Sequence, residues 1–213
     1  TKRTVDPSAF VLDMGQNLAG FPEITVRGRK GQKITLLVSE SLSDEGACNQ
    51  RQTGRQHYYE YTLKGEGVET WHPRFSYYGF RYIQVEGAVL KGQKNTLHLP
   101  VIQKIQSCFV YNSAPKVSTF QCSNRIFNEA HRLIEKAVRS NMQSVFTDCP
   151  HREKLGWLEQ DHLCGPGLLY NYDLTGFLPQ TLQNIADAQH ANGAVPTTAP
   201  EYVVFEGPGM DAF

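Results

Sequence analysis

The hydrophobic period of the sequence changes near residue 120, and this change constrains the fold more than any other feature. Before it, short runs rich in β-branched and aromatic residues alternate with Gly and Pro, which is typical of strands joined by turns. After it, apolar residues recur at helical spacing. The sequence therefore predicts two domains, a β domain over residues 1–118 and a helical domain over residues 119–213.

The β domain contains at least six strand-like runs. They cover residues 10–12, 24–26, 33–38, 58–63, 80–85 and 108–111. Repeated short strands with frequent turn signals favour an antiparallel β-sandwich. We expect Gly15, Gly20 and Gly79 to lie in its turns.

The helical domain begins with a strongly periodic segment, with Ser123 or Asn124 as its N-cap. The apolar residues at helical spacing are Ile126, Phe127, Ala130, Leu133, Ile134, Ala137 and Val138. Two further helices are predicted over residues 158–170 and 174–188. We also expect helical structure to resume from about Glu153 or Leu155, after the break that Pro150 imposes.

Charge and cysteine content exclude several classes of protein. Lys plus Arg and Asp plus Glu both number 21 in the 213 residues, so the net charge is zero. This argues against a nucleic-acid binder and against a polybasic membrane-surface protein. No apolar run reaches the roughly 18 residues of a membrane-spanning helix. Five cysteines without a C-x-x-C pair make a disulfide framework unexpected and leave the compartment open. We expect a periplasmic or secreted location rather than a cytoplasmic one.

Chemistry-capable residues concentrate between positions 147 and 162. Four carboxylates lie there, beside an Arg, a Lys, two His and a Trp; they are Asp148, Glu153, Glu159 and Asp161. Two metal- or thiol-based interpretations are open. Cys149, His151, His162 and Cys164 form a symmetric pattern of zinc ligands, although one intervening residue strains the chelate loop. Cys149 with a nearby imidazole could also act as a nucleophile.

Paired-carboxylate chemistry is the third interpretation. Glycosidic bonds are cleaved by a carboxylic acid that protonates the leaving oxygen and a carboxylate that activates water or attacks. The acid needs a raised pKa. Negative charges on Asp148 and Glu159 could raise the pKa of Glu153 by repelling its carboxylate form. On a helix, Glu153 and Trp157 would share one face, and we expect Arg152 to face the substrate or Asp148. The aromatic residues available to stack on a sugar are Trp157, Tyr170 and Tyr172. The alternative is a solvated, charged helix start with Trp157 in the core.

Several motifs resemble one family in the same order along the chain. Residues 148–157, Asp-Cys-Pro-His-Arg-Glu-Lys-Leu-Gly-Trp, closely resemble the active-site signature of the α-L-rhamnosidases of glycoside hydrolase family 78, and residues 141–147 resemble the approach to it. Residues 13–20 are similar to a D-x-G-Q-N-x-x-G opening of the family's sandwich domain. Residues 71–82 resemble the W-x-P-x-F-x-Y-x-G-F-R-Y near its close, and residues 193–196 resemble a later barrel loop.

This resemblance implies an antiparallel β-sandwich followed by the first helices of an (α/α)6 barrel. The helical domain has room for only three or four helices, so we expect a fragment with an incomplete barrel and uncovered apolar faces that the remainder of the chain or a homo-oligomer would cover. The implied activity is hydrolysis of terminal non-reducing α-L-rhamnosyl residues from glycosides or polysaccharides, with inversion. No cofactor, metal, nucleic acid or membrane is implied.

The resemblance also assigns roles within the signature. Glu153 falls on the family's general acid, Asp148 and Arg152 on sugar-contacting positions, and Trp157 on an aromatic residue that packs against the rhamnose. Inversion needs a second carboxylate about 6.5–9.5 Å away, so that a water fits between the two groups. In the family this base comes from a later barrel helix or loop, and nothing in the chain matches it.

Two departures from the family pattern affect the site. The spacing from Arg152 to Leu155 is one residue shorter than in the commonest form. Many members also carry an Asp three residues after the Trp, where this chain has Gln160, so Glu159 or Asp161 is expected to make that sugar contact. A non-catalytic carbohydrate-binding module or an inactive fragment is the alternative function, and an independent sugar-binding role for the β domain is a further alternative.

Overall fold

The computed structural model describes residues 9–204 and divides the chain into two compact units, 1–110 and 111–213. The N-terminal unit contains seven strands within this range. They are β1 (Phe10–Arg27), β2 (Lys33–Ser39), β3 (Tyr58–Thr62), β4 (Val68–Trp71), β5 (Tyr78–Glu86), β6 (Val89–Leu90) and β7 (Val101–Phe109). The C-terminal unit contains three helices in the described residues. They are α1 (Arg125–Asn141), α2 (Leu158–Asn171) and α3 (Phe177–Ala188).

The seven strands form one connected sheet in the order β3-β2-β5-β1-β7-β6, with β4 also paired to β1. The predicted antiparallel arrangement is wrong for one pair, because β6 and β7 run parallel with Val89 opposite Val101. The sheet is continuous because β1 is 18 residues long. Its first part pairs with β5 and its last part, from Gly20 to Arg27, pairs with β7.

The core of the N-terminal unit lies against the centre of this sheet. Its fully buried side chains include Ile24 and Val26 of β1 and Phe80, Ile83 and Val85 of β5. Alternate residues of a strand point to opposite faces, yet the residues of β2 from Ile34 to Ser39 are buried on both faces.

The segment between β2 and β3 shields the second face of β2 and β5. Its Gln50 side-chain amide donates to the backbone oxygens of Val38, at 2.6 Å, and His57, at 3.0 Å. The Cys48 N–H donates to the side-chain oxygen of Gln84 at 3.0 Å. These bonds satisfy polar groups that the covered face would otherwise leave without partners.

The three glycines expected in turns have different roles. Gly15 lies within β1, at the irregularity between Asp13 and Leu18, and has a φ of +83°. Gly20 lies within β1, where a Cβ would come 1.9 Å from the backbone oxygen of Cys108. Gly79 lies within β5. The turn prediction is therefore wrong for all three, although the positive φ of Gly15 is a conformation that favours glycine.

The helices of the C-terminal unit follow the sequence pattern closely. Asn124 caps α1, as predicted, because its side-chain oxygen accepts from the Ile126 N–H at 2.9 Å. Helix α2 begins at Leu158, as predicted for the helix over residues 158–170, whereas the expectation that helical structure resumes at Glu153 or Leu155 is wrong. No helix in the described range is long and apolar enough to cross a membrane.

The packing of these helices leaves apolar surface exposed. The buried cluster of the unit consists of Met142, Phe146, Leu168, Tyr172, Leu174 and Phe177. The large apolar side chains that remain exposed on the three helices include Ile126, Phe127, Leu133, Ile134, Leu163, Leu169 and Leu182. On α1 this surface is the helical stripe seen in the sequence, so the stripe is largely uncovered in the described part of the chain.

Candidate active site

The signature segment between α1 and α2 is a tight turn rather than a helix. Residues 150–153 form the turn, and Lys154 follows with a φ of +56°, in the left-handed region that non-glycine residues rarely adopt. Trp157 is the N-cap of α2. The predicted shared helix face of Glu153 and Trp157 is therefore wrong, because Lys154 is left-handed and residues 154–157 lie between the turn and the helix without being helical.

Two side chains of the signature close this turn. The Asp148 carboxyl accepts from the backbone N–H of Leu155 at 3.4 Å, and the Asp148 N–H donates to the Leu155 oxygen at 3.4 Å. The sulfur of Cys149 accepts from the backbone N–H of Glu153 at 3.4 Å. Residues far apart in extended chain are thereby brought together, and Asp148 comes to lie beside Glu153.

Asp148 and Glu153 form a hydrogen-bonded carboxyl pair. The hydrogen bond to Asp148, and then the one from Arg152, lower the pKa of Glu153, and the side chain of Trp157 acts in the same direction. Burial raises the pKa of Asp148, and the hydrogen bond and charge of Glu153 raise it further. A proton held by the pair is therefore favoured on Asp148.

Arg152 contacts Glu153 instead of turning away from it. Its guanidinium Nη2 donates to Glu153 Oε1, so the predicted orientation toward substrate or Asp148 is not the one observed. The expected raised pKa of Glu153 is also wrong, since Asp148 and Arg152 both stabilise the carboxylate form. The side chain of Arg152 is 54% exposed and that of Glu153 29% exposed, so both are open to the surface.

The three candidates for the additional sugar contact differ in burial. Glu159 is exposed in the first turn of α2, whereas Gln160 and Asp161 are half-buried. Burial raises the pKa of Asp161 from 3.8 to about 6. The sequence named Asp161 as one possible contact but gave no signal of its altered pKa, because burial of this helix face depends on long-range packing.

Residues 197–199 form a feature of the site that the sequence did not predict. The Leu158 N–H donates to the Thr197 oxygen at 3.1 Å, and the Ala199 N–H donates to the Gly156 oxygen at 2.9 Å. A Cβ on Gly156 would lie 2.6 Å from the Ala199 oxygen. In the sequence, Gly156 is compatible with such a close approach of two backbones, but nothing there pairs it with residues 197–199.

The zinc interpretation has no geometric support in the part of the chain that the structure describes. Among residues 9–204, no three His, Cys, Asp or Glu side chains are grouped as a metal site requires. Cys149 accepts a hydrogen bond within the turn, and Cys164 is exposed on α2.

Two family models together match almost the whole chain. A model described as the bacterial α-L-rhamnosidase concanavalin-like domain matches residues 3–111. A model described as the bacterial α-L-rhamnosidase 6 hairpin glycosidase domain matches residues 115–212. The chain belongs to the α-L-rhamnosidases of glycoside hydrolase family 78. The family predicted from the signature at residues 148–157 is thus confirmed.

Curated and solved α-L-rhamnosidases show the same relationship. A protein from Streptomyces avermitilis is 34% identical over 91% of this chain, and one from Formosa agariphila is 32% identical over 83%. The structure of the α-L-rhamnosidase from Dictyoglumus thermophilum superimposes with a TM-score of 0.81 at 32% identity over 95% of the chain. The Streptomyces avermitilis enzyme complexed with L-rhamnose gives 0.81 at 32% identity over 97%.

The chain spans about a fifth of the length of these relatives. It covers 18% of both curated α-L-rhamnosidases, 22% of the Dictyoglumus thermophilum chain and 19% of the Streptomyces avermitilis chain. The mixed sheet followed by three helices corresponds to two adjoining regions of a rhamnosidase.

Proposed function

We propose that the protein carrying this chain hydrolyses terminal non-reducing α-L-rhamnosyl residues of glycosides or polysaccharides, with inversion at the anomeric carbon. Membership of the α-L-rhamnosidase family supports the reaction. The observation that carries the assignment to this part of the chain is the hydrogen-bonded pair of Asp148 and Glu153, beside Arg152 and Trp157. Glycoside cleavage requires a carboxyl that protonates the leaving oxygen, and a hydrogen-bonded neighbouring carboxyl sets the pKa of that group.

Glu153 is the general acid in this proposal, and Asp148 and Arg152 control its proton. Because the two carboxyls share a hydrogen bond, they titrate as a coupled pair. In the ligand-free arrangement, Arg152 favours the carboxylate form of Glu153. A sugar hydroxyl that accepts a hydrogen bond from the Arg152 guanidinium would weaken the ion pair between Arg152 and Glu153. The pKa of Glu153 would then rise, so that Glu153 is protonated when substrate is bound.

Trp157 and one residue of α2 complete the sugar contacts. The indole offers a flat apolar face for the rhamnose ring. We keep Glu159 as the predicted polar contact, with Asp161 as the competing carboxyl because its raised pKa allows it to donate a hydrogen bond below about pH 6.

The general base is a second carboxylate on the far side of the sugar, about 6.5–9.5 Å from the acid. We expect it on a later barrel helix or loop supplied by the remainder of the protein. We therefore expect the isolated 213-residue chain to show no turnover. The zero net charge is compatible with a neutral sugar substrate, which needs no electrostatic steering.

The test is Glu153→Gln in the full-length enzyme, assayed on an aryl α-L-rhamnoside. Loss of general acid catalysis should reduce turnover by about 10²–10⁴-fold. Glu129→Gln is the matched control, because Glu129 also pairs with an arginine, Arg132, but on the exposed surface of α1. Near-normal turnover of the Glu153 variant would overturn the assignment, and binding of L-rhamnose without any hydrolysis by the unmodified enzyme would favour a binding module.

The stereochemical part of the proposal has its own measurement. Proton NMR of the first product formed should show β-L-rhamnose before mutarotation. Release of the α anomer would contradict inversion and would place the second carboxyl close enough to act as a nucleophile.

A further inference from the structure

The backbone of residues 197–199, hereafter the 197–199 segment, is paired with the end of the signature. Two hydrogen bonds join them, from the Leu158 N–H to the Thr197 oxygen and from the Ala199 N–H to the Gly156 oxygen, at 3.1 and 2.9 Å. The approach is as close as a glycine permits, because a Cβ on Gly156 would lie 2.6 Å from the Ala199 oxygen. The position of the segment and the position of the signature therefore depend on each other.

Trp157 is directly opposite Thr198 in this antiparallel bridge. Residues opposite each other in an antiparallel pair project to the same face, so the Thr198 side chain lies beside the indole. Thr198 is 1% exposed, and its hydroxyl has no hydrogen-bond partner among residues 9–204. Its contribution there is consequently the volume and shape of the side chain rather than a hydrogen bond.

Trp157 connects the 197–199 segment to the carboxyl pair. The Trp157 side chain is one of the groups that lower the pKa of Glu153 and so favour its carboxylate form. Since the indole N–H is the only donor of a Trp side chain, this interaction requires one ring orientation. A shift of the Trp157 backbone would move that donor away from Glu153.

The loop that carries the 197–199 segment is braced at its base. His190 Nε2 lies 3.1 Å from Glu201 Oε2, and the His190 N–H donates to the Ala194 oxygen at 2.9 Å. The Gln189 side-chain amide donates to the Gly193 oxygen at 2.8 Å. A loop closed on itself in this way presents its far side, the 197–199 segment, in a fixed position.

We propose that the 197–199 segment positions the indole of Trp157 and, through it, the carboxyl of Glu153, with Thr198 as the positioning residue. Thr198 fills the space beside the ring and makes no contact with the reacting atoms. This inference rests on the proposed function, because it assigns the geometry of the acid in that reaction. It adds a second stretch of chain, 41 positions after Trp157, to the elements that build the site.

The first test uses Gly156→Ala in the full-length enzyme, with Gly165→Ala as the matched control. The new methyl group on residue 156 meets a backbone oxygen and must push the 197–199 segment away, whereas a Cβ on Gly165 meets nothing within 4 Å. A displacement of about 1 Å at a catalytic group costs about a hundredfold in rate. We expect kcat of the first variant to fall by roughly this factor and kcat of the control to stay at the wild-type value.

The second test separates shape from hydrogen bonding and does not require Gly156→Ala to fold. Thr198→Val keeps the shape without the hydroxyl, and Thr198→Ala removes volume beside the ring. We expect the Val variant to retain kcat and the Ala variant to lose it. In the Ala variant the high-pH limb of kcat/KM should also move to higher pH, because moving the Trp157 side chain away from Glu153 raises the pKa of Glu153.

The outcomes separate this inference from the proposed function. Wild-type kcat and an unshifted pH profile in the folded Thr198→Ala variant would overturn the positioning role, even if Glu153→Gln is inactive. Equal losses of kcat in the Val and Ala variants would overturn the positioning role too, because the two variants have in common the loss of the hydroxyl. Such a result would indicate that the hydroxyl contacts the substrate. Full activity of Glu153→Gln would instead reject the proposed function.

Discussion

The guanidinium of Arg152 donates a hydrogen bond to the carboxylate of Glu153, its neighbour in the chain. The same carboxylate is hydrogen-bonded to Asp148, and both contacts lower the pKa of Glu153. A general acid with a lowered pKa loses its proton too early as the pH rises. The reactivity of Glu153 should therefore depend on whether Arg152 stays paired with it.

Arg152→Met should raise the pKa of Glu153, since it removes a positive charge and a donor but keeps a long side chain. The high-pH limb of kcat/KM, which reports deprotonation of the acid in the free enzyme, should move to higher pH. Because Arg152 is also a proposed sugar contact, KM should increase. The measurement is a pH profile of kcat/KM on an aryl α-L-rhamnoside.

A matched arginine controls for general charge effects. Arg132 pairs with Glu129 on α1 as Arg152 pairs with Glu153, and its presence likewise lowers the pKa of that glutamate. Arg132→Met should leave the pH profile unchanged. A high-pH limb that stays in place in Arg152→Met, or moves to lower pH, would show that Arg152 does not control the acid.

Local chemistry in the sequence was enough to predict much of the fold. The Asn124 cap and the apolar period after it placed α1, because both signals act within one or two helical turns. The turn at Pro150 was also predicted. The start of the helix over residues 158–170 was predicted correctly. Helical structure from Glu153 or Leu155 was not found, because nothing in the sequence indicates that Lys154 adopts a left-handed conformation.

Features that depend on distant residues could not be predicted. The residues of the carboxyl pair were named, but the Arg152–Glu153 contact and the direction of the Glu153 pKa follow from how the turn closes between Asp148 and Leu155. The pairing of Thr198 with Trp157 joins two segments that lie far apart in the chain. No pattern of hydrophobic residues in the sequence indicates that these segments are neighbours. The signature itself could be recognised because its chemistry is concentrated in ten consecutive positions, 148–157.

Asp161→Asn should stabilise the protein at neutral pH and have little effect in acid. Burial raises the pKa of Asp161 from 3.8 to about 6, so the folded state favours the neutral form. The stabilising contribution of the raised pKa of Asp161 to the free energy of unfolding is fully present below about pH 3.8. This contribution is lost as the pH rises through about 6. Thermal melts of the full-length enzyme should show a higher Tm for the variant at pH 7 and a vanishing difference near pH 4.

Asp173→Asn provides a control of opposite sign. The Thr175 hydroxyl and backbone N–H lower the pKa of Asp173, so its stabilisation is present above the ordinary pKa and lost as the pH falls through the lowered value. This variant should have a lower Tm at pH 7. If the Tm of Asp161→Asn at pH 7 is also lower than that of the wild type, burial is not the main influence on the pKa of Asp161.

Glu69→Ala should destabilise the N-terminal unit. The carboxylate accepts from the Tyr61 hydroxyl and from the backbone N–H groups of Lys64 and Gly65, so it organises the turn between β3 and β4. Losing hydrogen bonds to a charged acceptor should cost about 2 kcal/mol or more. Glu60→Ala is the control, because Glu60 forms an exposed pair with Lys33, worth about 0–1 kcal/mol. Urea unfolding should separate the two variants, and equal losses would contradict the role of Glu69.

Gly20→Ala should be far more damaging than Gly15→Ala, although both glycines belong to the same sequence motif. A methyl group at position 20 would lie 1.9 Å from the Cys108 oxygen, so β1 and β7 must separate. At position 15 nothing lies within 4 Å, and only the left-handed backbone opposes a side chain, at about 1–2 kcal/mol.

Asn tolerates that backbone better than Ala, so Gly15→Asn should recover part of the stability while Gly20→Asn should not. Urea unfolding of the four variants measures the difference, and recovery at position 20 would show that backbone conformation, rather than the approach of Cys108, requires glycine there.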